Sequence, residues 1–152
     1  MTHTEFFKLQ AKNLYRDYQT KKRVFDQEIN DYLYEYSPKY FDIDGILLDF
    51  DIDDEDFSLM KAQHIIAQLI GFRKWTDLLR ASEEEQELAK LLFDNQDKIS
   101  AEDWEMCILG TERDNSTTFD PDTRLEIFKQ VFANVEGHVS TFPDYRLHRE
   151  AR

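Results

Sequence analysis

Cysteine, proline and glycine are scarce in this 152-residue chain, which holds one cysteine (Cys107), three prolines and four glycines. A single cysteine excludes an intramolecular disulfide and a cysteine-based zinc site. So few prolines and glycines exclude collagen-like and Pro/Gly-rich low-complexity classes. No apolar run approaches the roughly 18 residues that span a bilayer. The opening MTHTEFFKLQ has neither a basic n-region nor an apolar h-region. No signal peptide and no membrane partner are therefore expected, and the chain reads as cytoplasmic. Bases are short too: 19 Lys+Arg face 32 Asp+Glu, a net charge of −13. That field repels phosphates, so ordinary nucleic acid is excluded as a partner. Aromatic residues, by contrast, are plentiful, with 12 Phe, 7 Tyr and 2 Trp. A chain this rich in rings is not generically disordered, and its length suits one compact domain.

The charge is unevenly spread. Residues 1–23 carry six bases against Glu5 and Asp17, whereas residues 24–60 carry twelve acids and only Lys39. A second acidic block covers 83–126. Blocks of opposite sign can pair in the fold, although exposed pairs contribute only about 0–1 kcal/mol each. Lys8, Lys12 and Arg16 recur at helical spacing and form a basic stripe. With Asp49, Asp51, Asp53 and Asp54 of the acidic run, they make the candidate interaction surface.

Helix signals dominate the chain. Thr2 and Glu5 have capping-box spacing, followed by Phe7, Ala11, Leu14 and Tyr18 on one face. Residues 24–41 fit either a helix (Phe25, Ile29, Leu33, Tyr36) or a strand (Tyr32 to Tyr36), and Ser37-Pro38 ends whichever forms. Asp42 can cap a short helix through Phe50, which Gly45 weakens. Ser58 caps the clearest helix, whose buried stripe is Leu59, Ala62, Ile66 and Leu69/Ile70, and Gly71 follows as its left-handed terminator. A short helix from Lys74 to Arg80 brings in Trp75. Ser82 with Glu85 opens another helix, and Ser100 with Asp103 a third, which turns Trp104, Cys107 and Ile108 inward. Asp120-Pro121 starts the last, burying Leu125, Phe128, Val131 or Phe132, and Val135 before Gly137. The expectation is an all-α fold: a single bundle of about six helices over 1–137, with an extended tail over 138–152.

Candidate chemistry mostly fails on spacing. Eight carboxylates lie between Asp42 and Asp56. A calcium loop beginning at Asp49 would need Gly at its sixth position and Glu at its twelfth, where Asp54 and Met60 stand. A loop from Asp114 fails likewise at Phe119 and Leu125. His3, His64, His138 and His148 are scattered without His-Glu-x-x-His spacing. His64 reads as a partly buried structural side chain, and His138 and His148 flank Asp144 in only a weak metal constellation. Cys107, packed beside Trp104 and Ile108, would be an inert small hydrophobe. Phosphate loops, nucleophile elbows and dinucleotide fingerprints are missing. No cofactor is expected.

One pattern is familiar. Ser58, Ala62, Gln63, Ile66 and Ala67, then Gly71, Phe72, Trp75 and Leu78, follow "LS-x-A-Q-x-x-IA … GF-x-x-W-x-x-L". Lys8, Ala11, Lys12 and Leu14 follow the "K-x-x-A-K-x-L" helix that precedes it. This resembles a helical module of small bacterial proteins associated with glyoxalase-related and ankyrin-containing proteins. The resemblance implies a helical module in which Ser58, Gln63, Gly71, Phe72 and Trp75 serve packing. It brings no activity, because the glyoxalase metalloenzyme fold is a βαβββ repeat with His/Glu ligands, which these residues do not follow. The expected function is a non-enzymatic, acidic protein-interaction module, an adaptor, inhibitor or immunity-type protein, with a basic protein partner. The alternatives are a DNA mimic or anti-restriction protein, and a metal-dependent enzyme related to glyoxalase-like proteins.

Overall fold

The computed structural model describes residues 1–147. The chain is mostly helical, with one small antiparallel sheet. In order, it forms α1 (His3–Tyr18), β1 (Lys22–Asp26), β2 (Asp31–Glu35), α2 (Ile43–Asp49), α3 (Leu59–Leu69), α4 (Trp75–Arg80), α5 (Glu83–Asp94), α6 (Ala101–Asp114) and α7 (Pro121–Phe128). A π-helical turn, Lys129–Ala133, continues α7.

The helix starts follow from their caps. Thr2 and Glu5 close a reciprocal capping box on α1, as Ser82 and Glu85 do on α5. Ser58, Ser100 and Asp120 each accept one first-turn N–H of α3, α6 and α7. Such caps stabilise a helix by about 1 kcal/mol each. Asp42 caps α2 through Gly45 N–H at 3.2 Å. Gly45 suits that cap because an added Cβ would sit 2.5 Å from Asp42 Oδ2.

The core is built around α1, which packs against α3 and α5. Phe7, Ala11 and Leu14 meet Ala62 and Ile66 there, with Phe41, Ile43 and Ile46 closing one side and Phe93 another. Ring contacts run through it: Phe6 and Phe41 each meet Phe93 edge-on, and Tyr18 stacks on Phe57 at 4.7 Å between centroids. Trp104 takes Phe128 and Phe132 edge-on, at 5.1 and 6.1 Å.

Two expectations need correcting. The fold is not purely all-α: residues 22–35 form a hairpin, pairing Lys22 with Glu35, Val24 with Leu33 and Asp26 with Asp31. Its turn passes through Asn30 at φ 51°, a left-handed position that asparagine tolerates. The last helix also changes form, since Asn134 N–H bonds Lys129 C=O five residues back. Phe132 is buried there, whereas Val131 and Val135 are exposed.

Residues 138–147 contain no helix, yet they join the body. Asp42 N–H bonds Tyr145 C=O, and Leu147 N–H bonds Tyr40 C=O. Arg146 is 5% exposed. Its guanidinium donates to Asp94 C=O at 2.7 Å, to Asp97 Oδ1 at 3.1 Å and to Asp144 from Nε and Nη2. Asp17 does the equivalent work at the end of α1. It is 2% exposed and accepts the backbone N–H groups of Lys39, Tyr40 and Phe41 at 2.7–2.9 Å. Charge-assisted bonds of this kind are about twice as strong as neutral ones, and these return the chain from the hairpin to the core.

Candidate functional site

A cleft lies where α3, α5, α6 and α7 meet, and it begins with a helix ending. Gly71 sits at φ +93°. Its N–H bonds Gln68 C=O, and Phe72 N–H bonds Ala67 C=O. This is the Schellman termination of α3, and it brings Phe72 into the lining of a cleft of about 460 Å³. Opposite, α5 presents Glu85, Leu88, Ala89 and Leu92, one face by their spacing. Ala101, Trp104 and Phe119 continue the apolar wall, while Glu102, Glu105 and Arg124 add charge.

A second cleft, of about 330 Å³, shares Gln68, Leu92, Ala101 and Glu102 with the first. Its far wall is the C-terminal segment, with Phe142, Pro143 and Tyr145, facing Phe50, Gln96 and Ile99. The two clefts thus adjoin at these shared residues, and together they are called the groove, each cleft a lobe.

Glu112 holds the first lobe in shape. Its Oε2 accepts Phe119 N–H at 2.7 Å, and both carboxylate oxygens accept Arg124 Nη2, at 3.0 and 3.1 Å. The Phe119 N–H first, and then Arg124, hold the Glu112 carboxyl below its ordinary value of 4.5. In the second lobe Tyr145 donates its hydroxyl to Asp49 Oδ2 at 2.6 Å. Burial, helped by that bond, pushes the Tyr145 hydroxyl well above the usual tyrosine range.

Two polar atoms in the groove are buried with no partner among the described residues: Arg124 Nε in the first lobe and Gln96 Oε1 in the second. Gln96 is 6% exposed, and its amide nitrogen is spent on Phe93 C=O. A buried polar atom left unpaired costs about 1–3 kcal/mol. With almost no accessible surface, both atoms lie below the groove lining and are not presented to a ligand. Glu102, exposed between the lobes, forms no ion pair among the described residues, and Glu105 reaches Arg124 only at 4.0 Å.

The residues singled out in the sequence fall elsewhere, except at the helix ending. Gly71 and Phe72 line the first lobe, while Trp75 packs half-buried against the core. Ser58 caps α3, and Gln63 is half-buried on it. Lys8, Lys12 and Arg16 point outward from α1, and Arg16 reaches only Asn13. Asp49 and Asp54 accept tyrosine hydroxyls, from Tyr145 and Tyr36, and Asp53 accepts Glu55 N–H within the loop. Asp54 C=O takes Tyr18 and Lys21. Asp51 is exposed at φ 52°, and Asp56 pairs with Lys61. Much of the acidic run is therefore spent on fastening its loop to α1, the hairpin and the C-terminal segment.

The expectations for the other reactive groups are corrected or bounded. Cys107 is exposed rather than inward, because α6 buries the narrow i, i+4, i+8 stripe Trp104, Ile108 and Glu112. His64 is exposed on α3, and His138 Nε2 lies 2.8 Å from Val131 C=O. His148 falls outside the described residues. Among those residues no cluster of three or more His, Cys, Asp or Glu is placed to hold a metal ion.

The groove residues Glu102, Glu105, Gln96 and Phe142 carry no motif. Only the Ser82/Glu85 box and the Gly71-Phe72 turn were visible signs of its walls. Comparisons with protein-family models, curated proteins and solved structures find no match to the chain.

Proposed function

We propose that this chain is a non-enzymatic interaction module, a helical bundle whose groove takes a basic, amphipathic segment of a protein partner. The carrying observation is the groove's chemistry: an apolar floor of Ile70, Phe72, Leu88, Leu92 and Trp104 beneath a rim of Glu85, Glu102 and Glu105. Apolar side chains of the segment would fill the lobes, and lysine or arginine would meet the rim. The net charge of −13 would speed encounter with such a partner. Lys8, Lys12, Arg16, Asp51, Asp53 and Asp54 then shape the long-range field and make no groove contact, whereas Phe50 lines the second lobe and Asp49 holds Tyr145 there. A DNA mimic draws less support, because Asp49, Asp53, Asp54 and Asp56 are bound to neighbours instead of forming an outward stripe.

A labelled peptide alternating Leu with Lys, titrated by fluorescence anisotropy, tests this reading. Glu102→Lys with Glu105→Lys should weaken binding about tenfold, the equivalent of 1.4 kcal/mol. Asp51→Lys with Glu28→Lys, which changes the same charge outside the groove, should change it less than about twofold. Equal losses in both variants would mean that total charge alone attracts the peptide, and the reading would fail.

A further inference from the structure

The hairpin carries two edges that nothing else among the described residues covers. No backbone hydrogen bond there leads from Lys22–Asp26 to anything but β2, or from Asp31–Glu35 to anything but β1. Val24 is 36% and Phe25 46% exposed, with Tyr32 and Leu33 open beside them. An exposed, partly apolar strand edge is a template for pairing, and proteins usually blunt it with charges that repel a copy.

Here the charges are arranged to attract one. β1 reads Lys22-Arg23-Val24-Phe25-Asp26. Turned antiparallel about Val24 onto a second copy, Lys22 faces Asp26 at both ends, Arg23 faces Phe25 twice, and Val24 faces itself. Opposite charges and a cation over a ring are favourable cross-strand pairs. β2 gives the reverse result, because the same operation about Leu33 sets Asp31 against Glu35. A slip of one residue would turn the side chains to the opposite face, set Arg23 against Asp26 and leave Lys22 opposite Gln27, so the Lys22–Asp26 pair is what distinguishes this register.

We propose that two copies of this chain associate through their β1 edges, making a four-stranded antiparallel sheet in the order β2–β1–β1–β2 with its two-fold axis at Val24. A five-residue edge is small beside the roughly 1,600 Å² of a standard stable interface. The dimer is therefore weak and concentration-dependent, and it leaves the groove free.

Sedimentation equilibrium over a range of concentrations should show the mass rising from 18.3 kDa towards twice that value. Lys22→Glu and Asp26→Lys should each remain monomeric, since each homodimer would bring like charges together. An equimolar mixture of the two should dimerise again, because both end pairs become opposite in sign. Lys22 also faces Glu35 within the hairpin. Should Lys22→Glu lose the hairpin's amide NMR signals, Lys22→Glu with Glu35→Lys replaces it and keeps that internal pair. The proposal is overturned by a wild type that stays monomeric, by single variants that dimerise like the wild type, or by a folded mixture that does not dimerise.

Discussion

Replacing Arg146 with alanine removes the one side chain that fastens the C-terminal segment to α5 and to the turn after it. The guanidinium is 2% exposed as a side chain, and it bonds Asp94 C=O, Asp97 and Asp144. Breaking a buried charge pair by removing one partner costs about 3–5 kcal/mol. The lower end applies here, because Asp97 is 43% exposed and water takes over part of its role. A loss of about 3 kcal/mol follows. In a chain of about 150 residues each kcal/mol shifts the midpoint by roughly 2–4 °C, so the thermal midpoint should fall by about 6–12 °C. Urea denaturation followed by far-UV circular dichroism measures the free energy directly. Arg146→Lys should fall between, since it keeps the charge without the planar fork. The loss should also loosen Phe142 and Tyr145, so peptide affinity should drop even where the protein remains folded. A destabilisation below about 1 kcal/mol would refute the claim that Arg146 holds this segment.

Gly71→Ala should destabilise by about 1 kcal/mol in the same assay, because an L side chain is disfavoured at φ +93°. The new methyl would meet Ala101 Cβ at an ordinary 3.7 Å, so no steric penalty is added. Glu112 gives a pH dependence of known sign. Its folded carboxyl titrates below 4.5, so its stabilisation is complete above that value and is lost as the pH falls through the lower, folded one. Stability measured by urea from pH 6 to pH 3 should therefore decline, and Glu112→Gln should decline less steeply.

Local chemistry was legible in the sequence, and long-range chemistry was not. Ser58, Ser82, Ser100 and Asp120 announce their helices because a cap acts within three residues. Gly71 announces the end of α3 for the same reason. The hairpin escaped because Phe25, Ile29, Leu33 and Tyr36 satisfy a helical period while Tyr32 to Tyr36 satisfy a strand's. Its turn, Gln27 to Asn30, also lacks the glycine that usually marks one. Asp17 and Arg146 gave no sign, since the partners of Asp17 lie 22–24 residues away and, beyond Asp144, those of Arg146 lie 49–52 residues away. The groove stayed hidden because Leu88, Leu92 and Trp104 look the same in a sequence whether they face the core or a cleft beside it. Charge density was a poor guide: the densest acidic run is largely bound to tyrosines and to Lys21 from other parts of the fold, whereas the carboxylates at the groove come from two separate helices.

The most direct test of the groove is a backbone-amide NMR titration of the folded protein with the Leu/Lys peptide. The account predicts shift changes concentrated at Phe72, Leu88, Ala101, Glu102, Phe119 and Phe142, saturating together along one binding curve. Changes centred instead on Lys8–Arg16 or on Asp51–Asp54, or no saturable change, would contradict it.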